Sequence, residues 1–72
     1  MKYTVITAWD EETDVWTATS EDIPGLVLES GSLDVLMERI RFAVPELLVL
    51  NGICEKDIKL VIKSEKHQQV YA

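Results

Sequence analysis

The chain has 72 residues and a mass of 8.2 kDa, with 13 Asp and Glu against 7 Lys and Arg, and one cysteine. This length allows a single domain with a thin core, because a domain of about 60 residues buries only about 60% of its unfolded surface. The lone cysteine excludes an internal disulfide, and the net charge of -6 argues against a protein that grips nucleic-acid phosphates. Small domains without cross-links often gain stability by association, so we expect a homodimer or a higher oligomer.

Charge is distributed unevenly along the chain. Residues 1–38 contain nine Asp and Glu and one Lys, which gives a net charge of -8. Residues 39–72 contain six Lys and Arg and four Asp and Glu, which gives +2. The imbalance favours solubility, and it would also steer a basic partner toward the first half of the chain.

Hydropathy gives no sign of a membrane or export segment. No run of roughly 18 apolar residues is present, and the residues after Met1 lack the apolar core of a signal peptide. A lone Cys54 suits a reducing compartment. We therefore expect a cytoplasmic protein that makes no membrane contact.

Residues 2–9 and 15–20 are rich in β-branched and aromatic side chains, which predicts two strands. The polar break at residues 10–14 is short, so the two strands should form an antiparallel hairpin. Alternation places Trp9 on the same face of the first strand as Val5.

A type II turn and a short third strand should follow. Pro24 presets φ at the second turn position, and Gly25 accepts a positive φ at the third. Residues 26–29 are the predicted third strand.

The strongest periodicity in the chain predicts a helix that Ser32 caps and that Asn51-Gly52 ends. Its apolar positions recur every three or four residues: Leu33, Leu36, Met37, Ile40, Val44, Leu47 and Leu48. Pro45 would kink this helix or break it. One kinked helix is favoured, because the apolar stripe continues in phase past Pro45.

Residues 57–64 predict a fourth strand, with Leu60 facing one way and Lys59, Val61 and Lys63 the other. The order β-β-β-α-β predicts an α+β, two-layer fold with sheet order 3-2-1-4 and one helix packed on one face. Residues 1–64 would form the single domain, and residues 65–72 a polar C-terminal tail.

One face of such a sheet stays uncovered, and the alternation predicts that it exposes Trp9 or Trp16. Exposed apolar patches mark interfaces, so this face is the expected surface for self-association. A basic partner should dock on the hairpin and turn side. The candidate partner-binding residues are Trp9, Asp10, Glu11, Glu12, Trp16, Asp22 and Pro24.

Catalytic, cofactor and metal sites are not expected. The acidic residues at 10–14 lack the spacing of a calcium loop. The alternative is a residual metal-dependent nuclease with Asp10 as a ligand and Glu29 or Glu38 beside it. His67 should be an exposed tail residue, and Cys54 a small, partly buried thiol.

Lysines concentrate near the fourth strand, at Lys56, Lys59, Lys63 and Lys66. Lysines on an edge strand commonly prevent sheet-to-sheet aggregation. A second alternative function is a nucleic-acid-binding module that uses these side chains.

Residues 16–40 resemble the HicB-like antitoxin domain. That family has a strand, an acidic Pro-Asp-Leu-Pro-Gly turn, a short strand and a Ser/Thr-Leu opening to a helix. Residues 21–25, Glu-Asp-Ile-Pro-Gly, match the turn, with Glu21 where the family often has proline. Ser32-Leu33 match the helix opening.

The start of the chain, at residues 2–5 and 9–12, resembles a small branch of that group with no assigned function. Over residues 2–63 the resemblance implies a truncated RNase H-like fold. It also implies a partner, the HicA toxin, a small basic RNA-cleaving protein. Full-length HicB antitoxins carry a C-terminal DNA-binding segment, for which residues 65–72 are too few, so we expect no direct DNA binding.

Overall fold

The computed structural model describes residues 2–71. The elements are β1 (Lys2–Asp10), β2 (Val15–Thr19), β3 (Val27–Ser30), α1 (Leu33–Leu50) and β4 (Lys59–Glu65). The predicted order β-β-β-α-β is confirmed, with every boundary within two residues of its expected position. β4 ends at Glu65, one residue into the expected tail, and Ala72 lies outside the described residues.

The four strands form one mixed sheet in the order β3-β2-β1-β4. β2 pairs antiparallel with β1 and β3, whereas β4 pairs parallel with β1. The predicted sheet order is therefore confirmed. α1 carries the chain from one edge strand, β3, back to the start of the other, β4.

The core lies between one sheet face and α1. Within residues 2–71, its buried apolar side chains are Tyr3, Val5, Ala18, Ile23, Leu26, Leu36, Ile40, Val44 and Leu48. Thr7 is also buried, and its hydroxyl is hydrogen-bonded to the Ser64 hydroxyl at 2.6 Å. This bond satisfies a polar group that burial would otherwise penalise.

The predicted apolar stripe is wrong at Met37, whose side chain is 39% exposed. α1 packs over β2 and β3.

Local signals determine both ends of α1. The Val35 amide donates to Ser32 Oγ at 3.4 Å at the start. At the end, Gly52 has a φ of +77° and its amide donates to Val49 O, while the Ile53 amide donates to Leu48 O. This bonding pattern is a Schellman motif.

Pro45 lies inside α1 and does not break it. The prediction of one continuous helix is therefore confirmed, and the alternative of a break at Pro45 is wrong. The apolar stripe explains the continuity, because Val44 and Leu48 on either side of the proline are both buried against the sheet.

Candidate protein-binding surface

Trp9 and Trp16 lie directly opposite each other on β1 and β2. Their ring centroids are 5.5 Å apart, and the ring planes meet at 61°. Both are half-buried, and Trp16 packs against the core whereas Trp9 lies outside it. Edge-to-face aromatic pairs of this kind are worth about 0.5–1.5 kcal/mol beyond their buried area.

The prediction that the uncovered sheet face exposes a tryptophan is wrong. The register pairs Thr7 with Ala18 and Trp9 with Trp16, so both tryptophans share the face that carries the core. The uncovered face instead presents smaller apolar side chains, among them Ile6 and Val61, which are 42% and 37% exposed.

The hairpin turn that follows Trp9 carries several exposed carboxylates. Residues 11–14 connect β1 to β2, and the exposed side chains there include Glu11, Glu12 and Asp14. Asp14 has a φ of +54°, a conformation that aspartate tolerates better than most residues. Asp10 accepts a hydrogen bond from the Glu12 amide at 3.0 Å and so shapes the turn.

A cation already lies over the outer tryptophan. Lys66 Nζ is 5.2 Å from the centroid of the Trp9 ring. This position follows from the parallel pairing of β1 and β4. Glu65 pairs with Ala8, so Lys66 and Trp9, the residues that follow them, lie side by side. Sequence reasoning did not connect Lys66 with Trp9, since only the parallel β1–β4 pairing joins them.

Asp22 and Pro24 lie at the opposite end of the sheet from the hairpin. The Thr4 amide donates to Asp22 Oδ2 at 2.7 Å, and Asp10 follows Thr4 by six residues, or roughly 20 Å of strand. The expected partner-binding residues thus form two separate groups. Five of them are at the hairpin end, namely Trp9, Asp10, Glu11, Glu12 and Trp16.

The turn at residues 21–25 has a structural role. Ser20 Oγ donates to Thr4 O at 2.6 Å and accepts from the Asp22 amide at 3.1 Å. The Ser20 hydroxyl therefore binds the carbonyl of Thr4, and the Asp22 carboxylate binds its amide. Thr4 lies beyond Ile6 and Thr19, the last residue pair of β1 and β2. The acidic residue in this turn therefore extends the hairpin.

The same turn is held against the end of α1. Gly25 has a φ of +87°, and the Leu26 amide donates to Ile23 O at 3.2 Å, as the predicted type II turn requires. Asn51 Nδ2 donates to Pro24 O at 3.3 Å. Ile23 and Leu26 are consequently placed in the core.

The carboxylates proposed for a nuclease site do not converge. Asp10 and Glu29 lie on the uncovered face of β1 and β3, whereas Glu38 lies on α1, which covers the other face. Across residues 2–71, no three Asp, Glu, His or Cys side chains are grouped as metal ligands would be.

The prediction that Cys54 is a partly buried thiol is wrong, because its side chain is exposed. It follows the Schellman motif in a segment without regular structure. His67 is exposed, as expected, and lies 3.9 Å from a Glu65 carboxylate oxygen.

Two of the lysines near the fourth strand lie on the uncovered face. Lys59 pairs with Lys2 and Lys63 pairs with Ile6, so three ammonium groups border the β1–β4 half of that face. Their positions match the predicted alternation of β4.

Among residues 2–71, Tyr3 is the residue whose pKa is clearly displaced from its ordinary value. Burial raises the pKa of its hydroxyl above the ordinary value of 10.0, and the Glu55 and Asp22 carboxylates raise it further. A hydrogen bond to Glu55 adds to the same effect, because it requires the protonated hydroxyl.

Sequence reasoning missed the outer flank of α1. Val35, Phe42, Val49 and Leu50 are all exposed there. A signal was present, because Val35, Phe42 and Val49 recur at intervals of seven, which is a second apolar stripe beside the buried one.

The fold defines a small α+β domain with one helix on a mixed four-stranded sheet. The chain belongs to the family described as "Domain of unknown function (DUF1902)", which it matches over residues 2–72. No curated protein matches it.

A similar solved structure is that of the hypothetical protein TTHA1013 from the extremely thermophilic bacterium Thermus thermophilus. The identity is 35% over 99% of this chain and 100% of that one, and the TM-score is 0.83. Across residues 2–71, no helix has both the length and the hydropathy needed to cross a membrane.

Proposed function

We propose that this protein acts by binding other proteins rather than by catalysis. It associates with copies of itself, and the hairpin end of its sheet binds a small basic protein in the cytoplasm. The observation that carries this proposal is the Trp9–Trp16 pair, which lies outside or at the margin of the core and next to the acidic hairpin turn at residues 11–14.

The tryptophan pair has the properties of an interface anchor. Trp is enriched among the few residues that contribute most binding free energy, and such residues are typically surrounded by a polar rim. Trp9 contributes little to the core, which leaves its ring as contact area. The carboxylates at residues 10–14 would supply the rim and attract a cationic partner.

The Lys66 contact supports the proposal of a cationic partner. An ammonium group lies 5.2 Å from the Trp9 centroid, so the ring is open to cation–π contact. An arginine or lysine of a basic partner could take the place of Lys66 and gain the nearby carboxylates as well.

The HicB resemblance gives the specific form of the proposal. The turn at residues 21–25 and the helix opening at Ser32-Leu33 resemble those of HicB antitoxins, which neutralise a small basic RNA-cleaving toxin. We propose that this chain binds and inhibits such a toxin, with the hairpin end as the contact surface.

The test is co-expression with the protein that is encoded beside this chain's gene, which the proposal expects to be small and basic. The expected result is that the neighbour alone arrests growth and cleaves RNA, and that this chain restores growth and forms a complex with it. A neighbour that is not basic, or whose toxicity this chain does not relieve, would overturn the antitoxin proposal.

Matched charge variants test the surface. Glu11→Lys and Glu21→Lys make the same change in net charge, but only Glu11 lies at the hairpin. We expect Glu11→Lys and Trp9→Ala to weaken the complex about tenfold or more, and Glu21→Lys to leave it nearly unchanged. Equal effects of the two lysine variants would contradict a hairpin contact.

A further inference from the structure

The flank of α1 beside β3 forms an open apolar groove. It has a volume of about 440 Å³ and is lined by the helix and by Leu28 of β3. A second depression of about 490 Å³ continues it past Pro45 to Leu50. Phe42 is 66% exposed and Leu50 is 81% exposed along this line.

Six helix residues on this flank occupy positions that are symmetric about the midpoint between Phe42 and Ala43, whereas Glu38, Pro45 and Val49, which also line it, have no match there. Counted outward from that midpoint, Phe42 matches Ala43, Arg39 matches Glu46, and Val35 matches Leu50. At about 100° per residue, all six lie within an arc of about 100° on one side of the helix.

Such a pattern is self-complementary under a two-fold axis. When two copies of a helix pack antiparallel about an axis through this midpoint, each residue lies level with its match on the other copy. Arg39 and Glu46 are nearest the line of contact, so a guanidinium then faces a carboxylate, and farther along the helix valine faces leucine. Phe42 and Ala43 lie on opposite sides of that line, so the two Phe42 rings lie side by side across the axis.

We propose that the occupant of this groove is α1 of a second copy, packed antiparallel about a two-fold axis between Phe42 and Ala43. This inference rests on the self-association that the proposed function includes, and it places that self-association on the flank of α1 beside β3. The uncovered sheet face, with Ile6 and Val61, is the competing surface.

The charges on the flank support this arrangement. Arg39 Nη1 donates to Glu29 O at 3.2 Å, which holds the guanidinium beside the groove. Arginine has five N–H donors, so this bond leaves others for a carboxylate. Within residues 2–71, Glu46 has no hydrogen-bond or ion-pair partner, and it is the residue that Arg39 of a second copy would meet.

Light scattering across a range of micromolar concentrations tests the proposal. The wild-type protein should reach about twice its monomer mass of 8.2 kDa. Phe42→Glu should raise the dimer dissociation constant roughly 10- to 100-fold. Circular dichroism should show an intact fold, because the Phe42 side chain is already largely exposed.

A charge exchange gives the sharpest readout. Arg39→Glu and Glu46→Arg should each weaken the dimer about tenfold, because like charges then face each other. The double variant should restore the dimer. The double variant and Arg39→Glu both lack the hydrogen bond from Arg39 to Glu29 O, so the loss of that bond cannot explain a difference between them. Restoration of the dimer would therefore show that residues 39 and 46 pair between copies.

Val61→Glu on the competing face is the control, and it should leave the dimer intact. A dimer that survives Phe42→Glu but is lost in Val61→Glu would overturn the helix surface while leaving self-association in place. Failure of the double variant to recover would also overturn it. A wild-type protein that stays at 8.2 kDa at every concentration would instead refute the self-association in the proposed function.

Discussion

Trp9 and Trp16 face each other across β1 and β2 with ring centroids 5.5 Å apart, but only Trp16 packs against the core. The two residues therefore differ in role although they occupy matched positions. Trp16 joins the hairpin to the domain, and Trp9 extends the aromatic surface beyond it.

Truncation of the two tryptophans should separate these roles. We expect Trp16→Ala to lower the free energy of unfolding by roughly 2–3 kcal/mol, because it removes core packing as well as the ring pair. Trp9→Ala should cost about 1 kcal/mol, since it removes the ring pair and the exposed Lys66 contact but no core packing. Urea unfolding measures both, and equal losses would contradict the assignment of Trp16 to the core.

Substitution of Asp22 should destabilise the domain although the residue is exposed. Its carboxylate accepts the Thr4 amide at 2.7 Å, and hydrogen bonds to charged groups contribute about 1.5–3 kcal/mol. We expect Asp22→Ala to lose about 1–2 kcal/mol and Asp22→Asn to lose less, because the amide oxygen remains an acceptor. Urea unfolding, with Glu21→Ala as the exposed control, checks this order.

Replacement of Pro45 should stabilise the protein. Proline costs about 3 kcal/mol relative to alanine in a helix interior, and part of this is offset because proline also restricts the unfolded chain. Pro45→Ala should therefore raise the free energy of unfolding by roughly 2 kcal/mol. Thermal unfolding measures the change, and a lower melting temperature would show that the Pro45 ring makes contacts worth more than the lost hydrogen bond.

Tyr3 should make the protein sensitive to alkaline pH. The pKa of its hydroxyl is higher in the folded state than the ordinary 10.0, because burial and the Glu55 and Asp22 carboxylates disfavour the anion. The folded state then holds its proton at pH values where the unfolded state has lost it. This contribution to stability is complete below about pH 10 and is lost as the pH rises through the folded-state pKa.

The variant Tyr3→Phe isolates this effect, because it keeps the ring and removes the titrating group. Between about pH 8 and pH 11, the urea midpoint of the wild-type protein should fall more steeply than that of Tyr3→Phe. Parallel curves would show that other groups, such as the lysines, cause the alkaline loss.

The amino-acid sequence by itself determined the element order, the ends of α1 and the type II turn at Pro24-Gly25. These features depend on neighbours within a few residues. A serine caps the first turn of a helix, and a glycine accepts positive φ, wherever the rest of the chain lies. The 3.6-residue period of α1 is equally local, and it remained readable across Pro45.

The tertiary structure alone decided which side chains meet. The β1–β2 register placed both tryptophans on the core face, and a shift of one residue would have moved Trp16 to the other face. The β1–β4 pairing brought Lys66 to Trp9. These relations join residues far apart in the chain, where local propensity carries no information and packing of the whole sheet and helix selects the arrangement.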